Sequence, residues 1–126
     1  DYTVATSNDI QTMVESMIGK VDVLYAPTDN VIAAGMSTVA MIANENGLPT
    51  VVGEQGMVDA GGLVTYTIDY KELGKVAGEM AMQILSEGTD PAEMPIEYYP
   101  SDKLQLVVNE DTAAELGIDP STITME

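Results

Sequence analysis

The sequence predicts an α/β lobe, in which a mostly parallel sheet is covered by helices on both faces to give three layers. Three observations predict it. Short apolar runs alternate with helical patterns of about 10–15 residues, the spacing of right-handed βαβ crossovers. The runs are continuous in Val, Leu and Ile rather than strictly alternating, as a sheet buried on both sides requires. The length of 126 residues suits one domain that buries roughly two thirds of its unfolded surface without a metal or disulfide staple.

Each element has its own signal. Tyr2–Ala5 reads as a short strand, followed by the cap residues Thr6, Ser7 and Asn8. Ile10, Met13, Val14, Met17 and Ile18 recur at helical spacing, and Gly19 stands where a left-handed C-cap belongs. Val21–Ala26 reads as a buried strand. Pro27-Thr28-Asp29-Asn30 then opens a helix over Val31–Ala43, which Asn46-Gly47 and Pro49 stop. Pro49–Gly53 is the next strand, and the glycine-rich stretch Glu54–Gly62 reads as a loop.

Leu63–Ile68 is a further strand. Asp69, with Glu72 three residues on, forms a capping-box pattern. The helix behind it carries Leu73, Val76, Ala77, Met80, Ala81 and Ile84 on one face and ends at Gly88; Gly74 and Gly78 would permit close approach to the sheet. Thr89–Pro95 is a loop, Ile96–Tyr99 and Leu104–Val108 are extended, and Asn109 caps a helix through Leu116 that Gly117 ends. The tail to Glu126 carries weak signals. With no internal repeat, residues 1–126 read as a single lobe.

Charge and absent residue types exclude much. Twenty-one acids against four lysines, with no Arg, give −17. Phosphate polymers and anionic membranes are repelled, because affinity for them comes from cationic side chains. No nucleic acid and no direct membrane insertion are therefore expected; no apolar stretch of about 18 residues is present. Without Cys or His there is no thiol nucleophile, imidazole base or soft-ligand zinc site. The chain is read as a non-enzyme that needs no cofactor and no metal. Neither the phosphate-binding G-x-x-x-x-G-K-[ST] nor G-x-G-x-x-G after a first strand occurs. A phospho-acceptor domain would want an acid pair at the first strand end, where Thr6 and Ser7 stand. Calcium would need clustered oxygens, whereas the acids are scattered.

Three polar clusters follow three successive strands: Thr28, Asp29 and Asn30; Glu54 and Gln55; Asp69 and Tyr70. In an open parallel sheet, ligands bind outside the carboxyl ends of the strands, where connectivity reverses. Each acid has a structural explanation as a helix cap, worth about 1 kcal/mol. Together on one rim they describe a crevice. Helix N-terminal N–H groups and a Thr hydroxyl there would receive a carboxylate, and the acids would receive an ammonium. Tyr66, Tyr70 and methionines would offer a surface to a side chain. An α-amino acid zwitterion matches; a cation or a hydroxyl-rich molecule is also compatible.

These residues carry a resemblance. Ala26-Pro27-Thr28-Asp29-Asn30, Leu48-Pro49 leading to Gly53-Glu54-Gln55-Gly56, and Gly62-Leu63 through Ile68-Asp69-Tyr70 with Leu73-Gly74 resemble the ABC-transporter substrate-binding family typified by tryptophan/tyrosine-binding proteins. Pro95, Leu106-Val107-Val108-Asn109, Ala113 or Ala114, Leu116-Gly117-Ile118 and Pro120 continue the likeness in order. The resemblance implies a type I periplasmic binding protein lobe with a Rossmann/flavodoxin-like sheet. It implies that Thr28, Asp29 and Asn30 touch the ligand while Glu54, Gln55 and Asp69 face an interlobe cleft. The implied partners are a small-molecule ligand, most often an aromatic or other amino acid, and an ABC permease. Family members are about twice this length, so a missing N-terminal lobe of the same protein is implied as well.

The implied setting is extracytoplasmic, as a periplasmic protein or cell-surface lipoprotein. One further departure is bulky Tyr66 near a position where a small residue is expected. Two rivals share the fold: a ligand-sensing regulatory domain, which neighbouring genes would reveal, and a flavodoxin-like enzyme, which a bound chromophore or turnover would reveal.

Overall fold

The computed structural model describes residues 1–124. Its helices and strands, in chain order, are α1 (Ile10–Met17), β1 (Leu24–Ala26), α2 (Asn30–Ala34), α3 (Met36–Glu45), β2 (Thr50–Val52), α4 (Gln55–Asp59), β3 (Val64–Thr67), α5 (Tyr70–Glu87), β4 (Gln105–Val108) and α6 (Glu110–Leu116). Four single-turn 3₁₀ segments punctuate the loops. The described residues divide into two compact units, one formed by residues 1–67 with 106–124 and the other by 68–105.

The first unit holds the sheet, in the order β1-β2-β3-β4. β1 and β2 run parallel with Leu24, Tyr25 and Ala26 opposite Thr50, Val51 and Val52, and β2 and β3 run parallel through Val51 and Val64. β4 runs the other way: Asn109, just past its end, donates its N–H to the Leu63 carbonyl at the start of β3 (2.9 Å). The sheet is therefore mostly parallel, as expected for βαβ units.

Side chains alternate along the strands. Leu24, Ala26, Thr50, Val52, Thr65 and Thr67 are buried, while Tyr25, Val51 and Tyr66 between them are exposed. Leu24, Ala26 and Val52 share one core with Ile10 and Val14 of α1, Met36 and Val39 of α3, and Met57 and Val58 of α4. The continuous apolar runs in the sequence thus hide an inward/outward alternation. Thr50 accounts for its own burial by accepting the Leu63 N–H on its hydroxyl at 2.9 Å.

Several expectations need correction. Tyr2–Ala5 forms no strand, because β1 pairs on one side only, with β2, and no neighbour takes up the segment. Ile96–Tyr99 also forms none. The helix expected over Val31–Ala43 is two helices, broken at Gly35, where a Cβ would lie 2.2 Å from Ile10 Cδ1. The stretch Glu54–Gly62 contains α4, whose Met57 and Val58 are driven into the core. The strand expected over Val21–Ala26 forms only at its last three residues.

The second unit is α5 with its following loop. Asp69 Oδ1 accepts from the N–H groups of Lys71 (2.8 Å) and Glu72 (3.2 Å), and Gly88 closes the helix in the left-handed region at φ 73. Glu72 turns to Lys75 rather than closing the capping box. A Cβ at Gly74 or Gly78 would meet no atom within 4 Å, so neither glycine serves close packing. The expectation for the tail at Met125 and Glu126 lies outside the described residues.

Candidate functional site

Ala26 and Val52 are paired at the carboxyl ends of β1 and β2, so the loops that follow leave the sheet side by side. They touch. A Cβ at Gly53 would lie 2.4 Å from the Thr28 nitrogen and 2.3 Å from Thr28 Oγ1, closer than non-bonded atoms tolerate. Only glycine permits this approach of the second loop to the first. The loop that carries Thr28, Asp29 and Asn30 thus touches, at Thr28, the loop that leads from Gly53 to Glu54 and Gln55.

Within this pair of loops each acid begins a helix. Asp29 Oδ1 accepts from Val31 N–H (2.8 Å) and Ile32 N–H (3.1 Å), and Glu54 Oε2 accepts from Gly56 N–H (3.0 Å). The extended backbone of both residues (φ −140 and −157) is the N-cap conformation. Asn30 and Gln55 are the first helical residues behind the caps, both exposed.

These caps change the chemistry expected at the rim. Of the helix N–H groups expected to receive a ligand carboxylate, those of Val31, Ile32 and Gly56 are already engaged by Asp29 and Glu54. What faces solvent instead is acceptor capacity: Asp29 Oδ2 and Glu54 Oε1 hold no hydrogen bond among the described residues. Two carboxylates in adjoining loops suit a cationic group. Donors for an anionic group include the Thr28 hydroxyl and the side-chain amides of Asn30 and Gln55.

Asp69 and Tyr70 belong to the second unit, where Asp69 caps α5 and Tyr70 is its exposed first residue. Strand order follows chain order, so the reversal expected to create a crevice has no counterpart among the described strands; contact between loops marks the rim instead. Gly53 is the site residue that sequence reasoning passed over. Its only signal was a glycine placed between a strand end and an acid.

The remaining polar chemistry is structural. Asn109 caps α6 through Thr112 N–H (3.0 Å) and donates to the Val58 carbonyl (3.0 Å); Thr112 Oγ1 donates to the Gly61 carbonyl (3.0 Å). No group of three or more potential metal-ligating acids occurs among the described residues, and no helix among them is long and apolar enough to cross a membrane.

The family described as ABC transporter substrate binding protein matches residues 1–123. The chain belongs to that family. The family is one of binding proteins, not of enzymes.

Among individual substrate-binding proteins, a tyrosine-binding protein of Clostridioides difficile is 40% identical over 115 residues, which are 91% of this chain and 32% of that protein. A ligand-free, open substrate-binding protein with adhesive properties from Clostridium difficile is 41% identical, with a TM-score of 0.72 over 92% of this chain and 38% of that one. An ABC domain from Streptococcus pneumonia, in complex with L-Trp, is 35% identical, with a TM-score of 0.80 over 94% and 40% of the two chains. The chain therefore spans about a third of the length of the curated relative it matches. The α/β fold with its mostly parallel sheet agrees with these neighbours.

Proposed function

We propose that this chain is one lobe of a two-lobed solute-binding protein that holds an amino acid, most favourably an aromatic one, for an ABC importer. The observation that carries the reading is the contact of Thr28 with Gly53, which sets two acid-bearing loops at neighbouring strand ends. The ammonium of the ligand lies against Asp29 Oδ2 and Glu54 Oε1. Its carboxylate is received by the Thr28 hydroxyl and the Asn30 and Gln55 amides. No covalent step is involved; binding is charge-assisted hydrogen bonding in a closing, desolvated cleft.

Two relatives support the ligand class: one is called a tyrosine-binding protein and another was solved with L-Trp. The lobe that these 126 residues do not supply closes the cleft, and the protein, itself outside the cytoplasm, hands the ligand to an ABC permease. Asp69 and Tyr70 remain candidate ligand residues on the strength of their place after β3.

The test is calorimetry on the full-length polypeptide with free L-Trp and L-Tyr and with their N-acetyl derivatives. Acetylation removes the ammonium and leaves ring and carboxylate intact. The free amino acids should bind at least tenfold more tightly, a difference of about 1.4 kcal/mol. Equal binding of free and acetylated ligands would remove the acids from the role assigned to them.

A further inference from the structure

β1 is an open edge. It pairs only with β2 among the described residues. The Leu24 N–H donates to the Pro49 carbonyl at 3.0 Å, and Leu24 stands opposite Thr50, so Leu24 and Ala26 direct their main-chain groups toward β2. Because direction alternates along a strand, the N–H and C=O of Tyr25 point to the open side. An unpaired row of this kind is a template for another strand.

A cavity of about 460 Å³ lies against β1, lined by Tyr25, Val23, Ile10 and Val14 and by Tyr2 and Val4 of the leading segment. Tyr2–Ala5 has the residue pattern of a strand and lines this cavity, yet it joins no ladder. An apolar lining, a strand edge with unpaired main-chain groups and a strand-like segment without a partner therefore meet at one place.

We propose that this cavity receives one further β-strand of the same polypeptide, from outside residues 1–126, pairing with β1 through the Tyr25 main chain. The chain spans 32% of its curated relative and 38–40% of the matching structures, which leaves most of such a polypeptide available to supply it. A tethered strand also competes at high effective concentration. A second copy of the chain is disfavoured, since each copy carries −17 and like-charged molecules repel. A small apolar molecule would leave the Tyr25 N–H and C=O unpaired. The proposal does not depend on the ligand assignment: it concerns the sheet edge at β1, and would stand if the amino acid were misidentified.

Amide hydrogen exchange on the full-length polypeptide tests it, with the Leu24 N–H as internal reference. The Tyr25 N–H should exchange as slowly as that of Leu24, and at least ~100-fold more slowly than in the 126-residue chain. A fast Tyr25 amide beside a protected Leu24 amide in the full-length polypeptide would overturn the proposal. Protection in the 126-residue chain that grows with protein concentration would also overturn it, by assigning the edge to a second copy. Tyr25→Pro gives a second readout, because proline is tolerated on an edge whose N–H faces solvent but not inside a ladder. It should lower the melting temperature of the full-length polypeptide well beyond its effect on the 126-residue chain; equal effects on both would contradict the proposal.

Discussion

The two compact units hold their shapes by different physics. Every buried side chain among the described residues belongs to residues 1–67 or 106–124, from Ile10 through Ala113; residues 68–105 contain none. The first unit is a core with strands and helices wrapped round it. The second is an 18-residue helix held by local devices: the Asp69 cap, the left-handed Gly88 and the Lys75–Glu72 pair. Helices draw most of their stability from burying an apolar face rather than from propensity. The lesson is that the loops carrying Thr28 and Glu54 rest on the unit that has a buried core, whereas Asp69 and Tyr70 belong to the one without a buried side chain.

The comparison breaks most readily by truncating a methionine in each unit. Met36 is 0% exposed and Met82 is 59% exposed. Met36→Ala should cost about 2–5 kcal/mol in denaturant unfolding of the chain, while Met82→Ala should stay within about 0.5 kcal/mol. Similar losses at both positions would mean that the second unit has a core after all.

A smaller effect sharpens it. Asp69→Ala removes both cap bonds and should cost α5 about 1 kcal/mol, read as lost helical signal by circular dichroism. Asp69→Asn keeps an acceptor at the cap and should lose little.

The smallest effect depends on pH. The hydrogen bond to Glu72, and then its charge, raise the pKa of Lys75 above the ordinary 10.5. A raised folded-state pKa means that the pair's contribution is fully present below the unfolded value and is lost as pH rises through the folded one. Lys75→Gln should therefore differ slightly from the parent chain in helical content below pH 10.5, and the difference should vanish above the raised value. A difference independent of pH would assign the effect to helix propensity rather than charge.

Much of this was legible in the sequence because it is local. Asp29, Asp69 and Asn109 were readable as caps, and Gly88 and Gly117 as stops, since each signal lies within a few residues of its effect. What failed depends on distant partners. Tyr2–Ala5 has strand composition, but a strand exists only beside another strand. At the break, the space a Cβ of residue 35 would need is filled by Ile10, 25 positions earlier. α4 was hidden by its flanking glycines, although burial of Met57 and Val58 fixes it. The candidate site was half legible: the polar clusters showed in order along the chain, while the engagement of Asp29 and Glu54 by their own helices and the pressing of Gly53 against Thr28 did not.

The most direct measurement is calorimetric titration of L-Trp and L-Tyr into the full-length polypeptide carrying Asp29→Asn. Asparagine caps a helix about as well as aspartate, so α2 keeps its start while the charge offered to the ligand ammonium disappears. Affinity should fall at least tenfold, about 1.4 kcal/mol, with the melting temperature unchanged. Unaltered affinity in a protein of unaltered stability would contradict the account and leave Asp29 as a helix cap alone.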